Sequence, residues 1–198
     1  MPDHYFSKAP ESAHRPLECR TSFRGHDLAF ETDAGVFSRD GLDKGTELLL
    51  DALPEMSGQV LDLGCGWGAV GVSLKKAYPG AKITMVDINS RAAELSKKNA
   101  VRNSVSVRVL ESDGFAELEA ELFSFIITNP PIRAGKQVIY GLFEESARHL
   151  VPGGSVYIVI RKQQGASSAL QFLESVYDKV QVVEKGGGFW VIRADTKA

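Results

Sequence analysis

The fold is decided by residues 60–69, VLDLGCGWGA. A short, mostly apolar run is followed by a glycine-rich turn, and apolar residues at helical spacing then begin at Ala69. Glycine lets the backbone turn sharply and lets it approach a ligand with no Cβ in the way. We therefore predict a buried strand at 60–63, a turn able to hold a ligand, and a helix at 69–77.

Short apolar runs alternate with helical patterns from residue 60 onward, as in parallel α/β sheets. Residues 185–188, KGGG, are too few for a parallel crossover, so the last two strands must form an antiparallel hairpin. The prediction is an α/β fold with a doubly wound, mostly parallel seven-stranded sheet and an antiparallel C-terminal hairpin strand. Strands are predicted at 60–63, 82–87, 105–110, 123–128, 155–160, 180–184 and 189–193, and helices at 69–77, 91–103, 116–121, 136–150 and 167–177.

The first 55 residues follow a different pattern. Apolar runs at 17–23 and 28–32 flank a turn and predict a β-hairpin, and residues 42–53 predict an amphipathic helix with Asp40 as its N-cap. So few large apolar groups make a poor independent core. We therefore predict that residues 1–55 are an N-terminal hairpin-and-helix extension packed on the core, and that residues 56–198 form the functional domain.

Composition narrows the class of protein. A chain of 198 residues with 43% hydrophobic and 24% charged residues is ordinary for one globular domain. No apolar run approaches the roughly 20 residues that a bilayer span needs, and the N-terminus lacks a signal-peptide pattern. Two cysteines in unrelated contexts suggest no disulfide framework, so a cytoplasmic location is expected, and the histidines show no metal-ligand spacing.

A second informative stretch is FSFIITNPPI, residues 123–132. Two consecutive prolines cannot donate to a sheet ladder and force their predecessors into extended geometry, so the strand must end at Asn129. An amide at the end of a buried strand, beside the stiff carbonyls of two prolines, suits ligand binding. A plain turn is the alternative.

Spaced carboxylates indicate the kind of ligand. Asp87 ends the strand after the glycine turn, where a carboxylate can bind ribose hydroxyls. The glycines also satisfy a loose dinucleotide fingerprint, which leaves a dehydrogenase as an alternative. However, Asp62 places a negative charge beside the glycine turn, which suits a cation better than a pyrophosphate, and Asp113 could accept a hydrogen bond from an adenine amino group. S-adenosylmethionine, an adenosine that carries a sulfonium and an ammonium, fits this charge pattern.

These stretches resemble class I S-adenosylmethionine-dependent methyltransferases, in particular the small-domain group of N-methyltransferases that carry Asn-Pro-Pro. The resemblance covers nearly the whole chain. Residues 35–38 and 43–50 look like the segment before the glycine loop in ribosomal RNA guanine-N2 methyltransferases, of which this chain resembles the catalytic half. The resemblance implies a Rossmann-like methyltransferase fold with S-adenosyl-L-methionine as the cofactor. It rests mainly on residues 62–68, 86–89, 112–113, 129–132 and 150–154.

The resemblance also assigns roles to residues. It implies that Asp62 and the glycine loop lie near the methionine part of the cofactor, Asp87 on the ribose and Asp113 on the adenine. The amide oxygen of Asn129 and the carbonyl of Pro130 would accept the N–H bonds of an amine. The implied catalytic residues are Asn129, Pro130, Pro131 and Ile132, and the implied cofactor-binding residues are Asp62, Gly64, Cys65, Gly66, Trp67, Gly68, Asp87, Ile88, Ser112, Asp113, Gly114 and Asn129.

Substrate recognition departs from the family at one position. Many relatives carry an aromatic residue after Pro-Pro that stacks on the acceptor base, whereas this chain has Ile132. Stacking must then come from elsewhere, and Phe37 is favoured over Tyr5 and Phe6 because residues 35–38 resemble the family pattern; the alternative is that Phe37 is ordinary core.

Basic residues at the carboxyl edge of the sheet suggest a partner. Arg133 and Lys136 follow the Asn-Pro-Pro turn, and Arg161 and Lys162 follow the fifth predicted strand. With arginines in the N-terminal extension they could face phosphates, although solvated charge is the alternative for each. The resemblance to ribosomal RNA methyltransferases implies that the partner is ribosomal RNA or the small ribosomal subunit.

The predicted function is transfer of a methyl group from S-adenosylmethionine to an exocyclic amino nitrogen, with guanine N2 of 16S ribosomal RNA as the expected acceptor. The same Asn-Pro-Pro chemistry serves release-factor glutamine, adenine in nucleic acid and 23S guanine, so these acceptors stay open. The alternative outside the class of enzymes is a non-catalytic module that binds an adenosyl ligand or RNA.

Overall fold

The computed structural model describes residues 12–198, whose strands fall into two sheets. The strands are β1 (Leu17–Phe23), β2 (His26–Thr32), β3 (Gln59–Leu63), β4 (Lys82–Asp87), β5 (Arg108–Glu111), β6 (Phe123–Thr128), β7 (Leu150–Arg161), β8 (Lys179–Gly186) and β9 (Phe189–Asp195). Strands β1 and β2 form an antiparallel hairpin, and the other seven form one sheet in the order β5-β4-β3-β6-β7-β9-β8. The pairings from β5 to β7 are parallel and those of β9 are antiparallel, so the predicted fold class is confirmed.

Within residues 12–198, five α-helices connect the strands. They are α1 (Lys44–Ala52), α2 (Ala69–Ala77), α3 (Ser90–Arg102), α4 (Lys136–Arg148) and α5 (Ala166–Val176). The prediction of a helix at 116–121 is wrong, because that segment is a series of turns. Gly114 and Glu119 have φ values of +57° and +47°, and left-handed residues at this spacing interrupt a right-handed helix.

Helix α1 begins later than the sequence predicted. Its N-cap is Asp43 rather than Asp40, and the Asp43 carboxylate accepts hydrogen bonds from the backbone N–H groups of Gly45 and Thr46. The delay follows from a turn at residues 38–41, in which Gly41 N donates to Ser38 O and Gly41, the residue after Asp40, has a φ of +130°. A residue with this φ cannot form the first turn of a right-handed helix.

Two strands begin three or more residues away from their predicted starts, for local reasons. Strand β5 begins at Arg108 rather than at 105, because Val105 N donates to Ala100 O and holds the chain against the end of α3. Strand β7 begins at Leu150, which pairs with Phe123, but regular pairing with β6 resumes only at Ser155. The residues between them bulge out of the register.

The sheet separates two apolar clusters. Val60 belongs to the cluster beneath α1, α2 and α3, whereas its neighbour Leu61 belongs to the cluster beneath α4 and α5. This alternation follows from the two-residue period of a strand. Both faces of the sheet are thus covered by helices, as a doubly wound fold requires. Within residues 12–198, no helix combines the length and the apolar character needed to cross a membrane.

Two asparagines on α3 attach the β1–β2 hairpin to the domain. Asn99 Oδ1 accepts from Glu31 N (2.7 Å) while its Nδ2 donates to Glu31 O (2.8 Å) and to Trp67 O (2.7 Å). One helical turn later, Asn103 makes the same pair of bonds with Ala29. The two asparagine side chains therefore make the backbone hydrogen bonds that a neighbouring strand would make with the free edge of β2. Through its bond to Trp67 O, Asn99 also connects this edge to the glycine loop.

Replacing Asn99 with alanine is expected to lower the free energy of unfolding by about 2–4 kcal/mol, because three backbone groups around a fully buried site lose their partner. Urea unfolding followed by circular dichroism measures the change. The matched control is Lys97→Ala on the exposed side of the same helix, which should cost less than about 0.5 kcal/mol. Equal effects of the two substitutions would contradict this account of the asparagines.

Candidate functional site

A cavity of about 420 Å³ opens at the carboxyl ends of β3, β4 and β6. Ligands of open α/β sheets bind at this edge. Thirteen of the residues that the sequence singled out line it: Phe37, Asp62, Gly64, Cys65, Gly66, Trp67, Asp87, Ile88, Ser112, Asp113, Gly114, Asn129 and Pro131. Segments far apart in the chain are thereby brought together around one space.

The glycine loop folds back onto the next strand. Gly64 N and Cys65 N both donate to Val86 O at 2.9 Å, and Gly66 N donates to Asp87 Oδ2 at 2.8 Å. Gly64 and Gly66 have φ values of +74° and +55°, which explains why these positions need glycine. The loop is held in place by hydrogen bonds to β4 and leaves its open side to the cavity. Gly68 lies behind the loop, where a Cβ would come within 3.2 Å of Ser96 Cα.

Asp87 is fixed at the rim of the cavity. Its Oδ2 accepts from Gly66 N, and its Oδ1 accepts from Asn89 N at 2.9 Å. Burial raises the pKa of Asp87 to about 6, against the opposing effect of the two backbone hydrogen bonds. Each carboxylate oxygen retains a further lone pair for a hydroxyl donor.

Asp62 lies deeper, with 3% of its surface exposed. Its Oδ2 accepts from Gly71 N at 2.8 Å. Burial raises the pKa of Asp62 to about 7, and the charge of Asp87 adds to the rise against this hydrogen bond. A buried carboxyl group with a raised pKa is stabilised in its ionised form by a nearby cation. The cavity floor therefore favours a positively charged ligand.

Asn129 faces the cavity from the end of β6, and a hydrogen bond to α1 holds its side chain. Its Nδ2 donates to Thr46 Oγ1 on α1 at 3.0 Å, and Thr46 Oγ1 lies 2.5 Å from Asp43 Oδ2. Within residues 12–198, Asn129 Oδ1 accepts no hydrogen bond. The amide therefore has an acceptor left for a ligand.

The other residues of the Asn-Pro-Pro turn differ in whether they line the cavity. Pro131 lines the cavity, and Pro130 is buried beside it. Ile132 begins a short 3-10 helix, Ile132–Ala134, and packs half-buried against the apolar cluster beneath α4 and α5. Of the described residues, Ile132 is not among those that line the cavity.

Phe37 lies at the mouth of the cavity with 36% of its surface exposed. Its carbonyl accepts from Trp67 Nε1 at 3.0 Å, and nearby Gly35 O accepts from Asn89 Nδ2 at 2.8 Å. These bonds hold the loop before α1 over the glycine loop. Val138 on α4, half exposed, lines the same cavity, so apolar surface flanks the opening. Tyr5 and Phe6 lie outside the described residues.

The four basic residues predicted to contact substrate lie outside the cavity. Arg133, Lys136, Arg161 and Lys162 are all exposed, and Arg161 stacks over the Phe189 ring with 4.9 Å between the guanidinium carbon and the ring centroid. Their position leaves them available to a large partner rather than to a small ligand.

Apart from Phe37, sequence reasoning assigned no role to the cavity-lining residues that come from the segment before and inside α1. Ser38, Leu42, Asp43 and Thr46 line the cavity, as do Ala134, Val138 and Leu142 near α4. Asp43 and Thr46 fall within the stretch 43–50 that resembled the family, which was the available signal. Among residues 12–198, no cluster of three His, Cys, Asp or Glu side chains could hold a metal ion.

Comparison with known proteins identifies a family that this chain matches and several proteins similar to it. The family described as methyltransferase small domain matches residues 27–193. An uncharacterised Bacillus subtilis protein, YbxB, is 43% identical over 98% of both chains. Ribosomal RNA small subunit methyltransferase C of Vibrio cholerae is 34% identical over 87% of this chain and 51% of its own length.

A solved structure agrees with these relatives. The T. thermophilus 16S rRNA N2 methyltransferase RsmC, in complex with AdoMet and guanosine, superposes with a TM-score of 0.84 and 27% identity, over 95% of this chain and 52% of that one. The chain thus spans nearly all of the Bacillus protein but about half the length of the ribosomal RNA methyltransferases that it matches.

Proposed function

Because the chain belongs to the methyltransferase small-domain family, we propose that it transfers a methyl group from S-adenosylmethionine to an exocyclic amino nitrogen. The proposed acceptor is N2 of a guanine in 16S ribosomal RNA. The observation that carries the proposal is Asn129, whose amide oxygen carries no hydrogen bond within residues 12–198 and belongs to a cavity that also contains the glycine loop and Asp87.

The residues present suit this cofactor. The cavity of about 420 Å³ is within the range of small-molecule sites. Asp87, at the rim, presents carboxylate oxygens to ribose hydroxyls, and the segment Ser112–Asp113–Gly114 lies where it can contact an adenine. Asp62 provides a buried negative charge for a cationic group. When bound, the cofactor supplies a methyl group already activated by its sulfonium.

The protein's task is then to position and desolvate the acceptor. We propose that Asn129 Oδ1 and the Pro130 carbonyl accept the two N–H bonds of the amine, which favours a pyramidal nitrogen and directs its lone pair at the methyl group. The prolines fix these acceptors before the reaction, so little reorganisation remains for the transition state. As the new N–C bond forms, the bond between the methyl group and the sulfonium sulfur breaks and S-adenosylhomocysteine is left as the second product. The methylated nitrogen, now positively charged, then releases a proton to solvent.

Two features support an RNA base as the acceptor. Phe37 and Val138 offer apolar surface at the mouth of the cavity, and base–aromatic stacking contributes about 1–3 kcal/mol per base. The exposed Arg133, Lys136, Arg161 and Lys162 can meet phosphates. The names of the relatives point to small-subunit ribosomal RNA, and the related structure contains guanosine.

We further propose that residues 1–55 are an extension dependent on the domain at 56–198. In support, Phe37, Asp43 and Thr46 complete the cavity wall, and Leu49 belongs to the same apolar cluster as Val60 of the sheet. The hydrogen bonds of Asn99 and Asn103 add polar attachment.

The test of function is transfer of tritiated methyl groups into naked 16S RNA, small ribosomal subunits, 23S RNA, DNA and release factor, followed by nucleoside analysis. The expected product is N2-methylguanosine in 16S RNA, either naked or assembled. Label in protein alone, or methylated adenine alone, would replace the guanine assignment with one of the other acceptors. No transfer to any of them, with cofactor bound, would favour a non-catalytic module.

Acidification is expected to weaken cofactor binding while it stabilises the ligand-free protein. Burial raises the pKa of Asp87 to about 6 and that of Asp62 to about 7, above the roughly 3.9 of an unfolded aspartate. The folded, ligand-free protein therefore holds these protons more tightly than the unfolded chain, and these groups lower its stability as the pH rises from about 4 to about 7. The cationic cofactor requires the ionised forms, so its affinity rises over the upper part of that range.

Titration calorimetry and thermal unfolding between pH 5 and pH 8, with and without S-adenosylmethionine, measure both trends. Binding at pH 6.5 should release protons, which buffers of different ionisation enthalpy reveal. The upper part of the pH dependence should shrink in Asp62→Asn. An affinity that does not change with pH would contradict the predicted role of the two carboxyl groups.

A further inference from the structure

We infer that Asp43 and Thr46 are positioning residues that lock the Asn129 amide in the orientation needed for catalysis, through the hydrogen-bonded chain Asp43–Thr46–Asn129. The catalytic part of this inference rests on the proposed function, whereas the orientation itself does not. The chain joins the start of α1 to the end of β6, across 83 residues of sequence between Thr46 and Asn129.

The orientation follows from counting protons. A threonine hydroxyl has one proton to donate and two lone pairs, and an ionised carboxylate can only accept. Thr46 Oγ1 therefore donates to Asp43 Oδ2, at 2.5 Å, and offers only lone pairs to Asn129. The group of Asn129 that faces Thr46 must be its NH₂, at 3.0 Å, so Oδ1 is turned away from α1. The reverse orientation would set two lone-pair-bearing oxygens against each other.

Asp43 divides its two oxygens between two tasks. Oδ1 accepts from Gly45 N at 2.9 Å and Thr46 N at 3.3 Å and thereby caps α1, while Oδ2 takes the Thr46 proton. The first turn of α1 is held from outside as well, because a Cβ at Gly45 would lie 2.8 Å from Phe189 Cε1. The cap and this close approach fix the position of the Thr46 hydroxyl, which is buried.

This arrangement matters because an amide that points the wrong way inverts its chemistry. With NH₂ toward the acceptor nitrogen, Asn129 would compete with the amine as a donor instead of accepting its N–H bond. Holding the amide in one orientation before the substrate arrives removes a reorganisation step from the transition state. A purely structural role, in which Thr46 only satisfies a buried hydroxyl, makes no such demand on the amide.

Asp43→Asn separates the two roles. Asparagine is as good an N-cap as aspartate, so α1 and the fold should be kept. The new NH₂ would donate to Thr46 Oγ1 and release the hydroxyl proton to face Asn129, which removes the preference for one amide orientation. We expect kcat to fall about 10-fold to 100-fold, with the Kd for S-adenosylmethionine within about threefold of the native value.

The orientation can be read without turnover. X-ray maps do not separate amide oxygen from nitrogen at ordinary resolution, so ¹⁵N–¹H correlation spectra of the Asn129 side chain are the suitable probe. The native protein should show one amide proton shifted by its hydrogen bond to Thr46, and Asp43→Asn should lose that shift.

A second pair of variants keeps the inference falsifiable if Asp43→Asn misfolds. Thr46→Val preserves shape but removes the hydroxyl, and should lose the amide shift and turnover as Asp43→Asn does. Thr46→Ser restores the hydroxyl and should recover most of both. Glu47→Gln, at the exposed neighbour on the same helix turn, is the matched control and should leave both unchanged.

Native amide signals in Asp43→Asn and Thr46→Val, or native kcat in both, would overturn the inference. Absence of methyl transfer by the native protein would count against the proposed function, but the amide spectra would still decide the orientation. The two failures are therefore distinguishable.

Discussion

Asn129→Ala is expected to lower kcat about 1,000-fold, in line with the loss of one fixed polar group that stabilises a transition state. The substitution removes the amide oxygen that would accept an amine N–H bond at the end of β6. The backbone of the turn should persist, because its two prolines are unchanged and Ala134 N still donates to Pro131 O. Cofactor affinity is expected to stay within about threefold, since Asp87 and the glycine loop are untouched.

Single-turnover methyl transfer and titration calorimetry on the same preparation measure these two effects. The matched control is Gln137→Ala, which removes an exposed side-chain amide shortly after the same turn and should leave kcat unchanged. Loss of cofactor binding in Asn129→Ala would reassign Asn129 from the acceptor to the cofactor. Retained turnover would remove it from the catalytic set altogether.

The parts of the fold that the sequence predicted well are those governed by neighbouring residues. The predicted bounds of α2 and β6 agree with the structure because a glycine turn begins one and a proline pair ends the other. The position of Asp87 at the cavity rim follows from the rule that parallel strands end at a common edge. Each of these inferences needs only a few adjacent residues.

The parts that were missed depend on contacts between distant segments. The hydrogen bond from Asn129 to Thr46 could not be inferred from either stretch alone, because it requires α1 to lie across the end of β6. The wrong N-cap at Asp40 has a local cause instead, since an aspartate before a helical pattern looks the same whether or not the next residue, here Gly41 with a φ of +130°, departs from helical geometry. The helix predicted at 116–121 failed because Glu119 adopts a positive φ that its residue type rarely takes.

The two sides of the site are therefore formed by two different kinds of structure. The proposed cofactor side of the cavity uses short loops that directly follow strands, such as the glycine loop after β3 and Asp87 at the end of β4. The proposed acceptor side uses long-range packing, in which Phe37 and Thr46 come from a segment held by Trp67 and Asn89. A sequence can therefore indicate the cofactor more securely than the acceptor.

Asp87→Ala is expected to raise the Kd for S-adenosylmethionine about 100-fold, because two hydrogen bonds to a charged group contribute about 1.5–3 kcal/mol each and part of this is offset by solvation. The substitution also releases Gly66 N and Asn89 N, so the glycine loop loses an attachment to the rim of the cavity. Titration calorimetry measures the Kd, and circular dichroism verifies that the fold is kept.

The matched control is Glu111→Ala, because Glu111 pairs in register with Asp87 on the neighbouring strand and is exposed at the same edge of the sheet. Removing that charge should change the Kd less than about twofold. If both substitutions weakened binding equally, the effect would come from the charge of the sheet edge, and Asp87 would have no specific contact with the ribose.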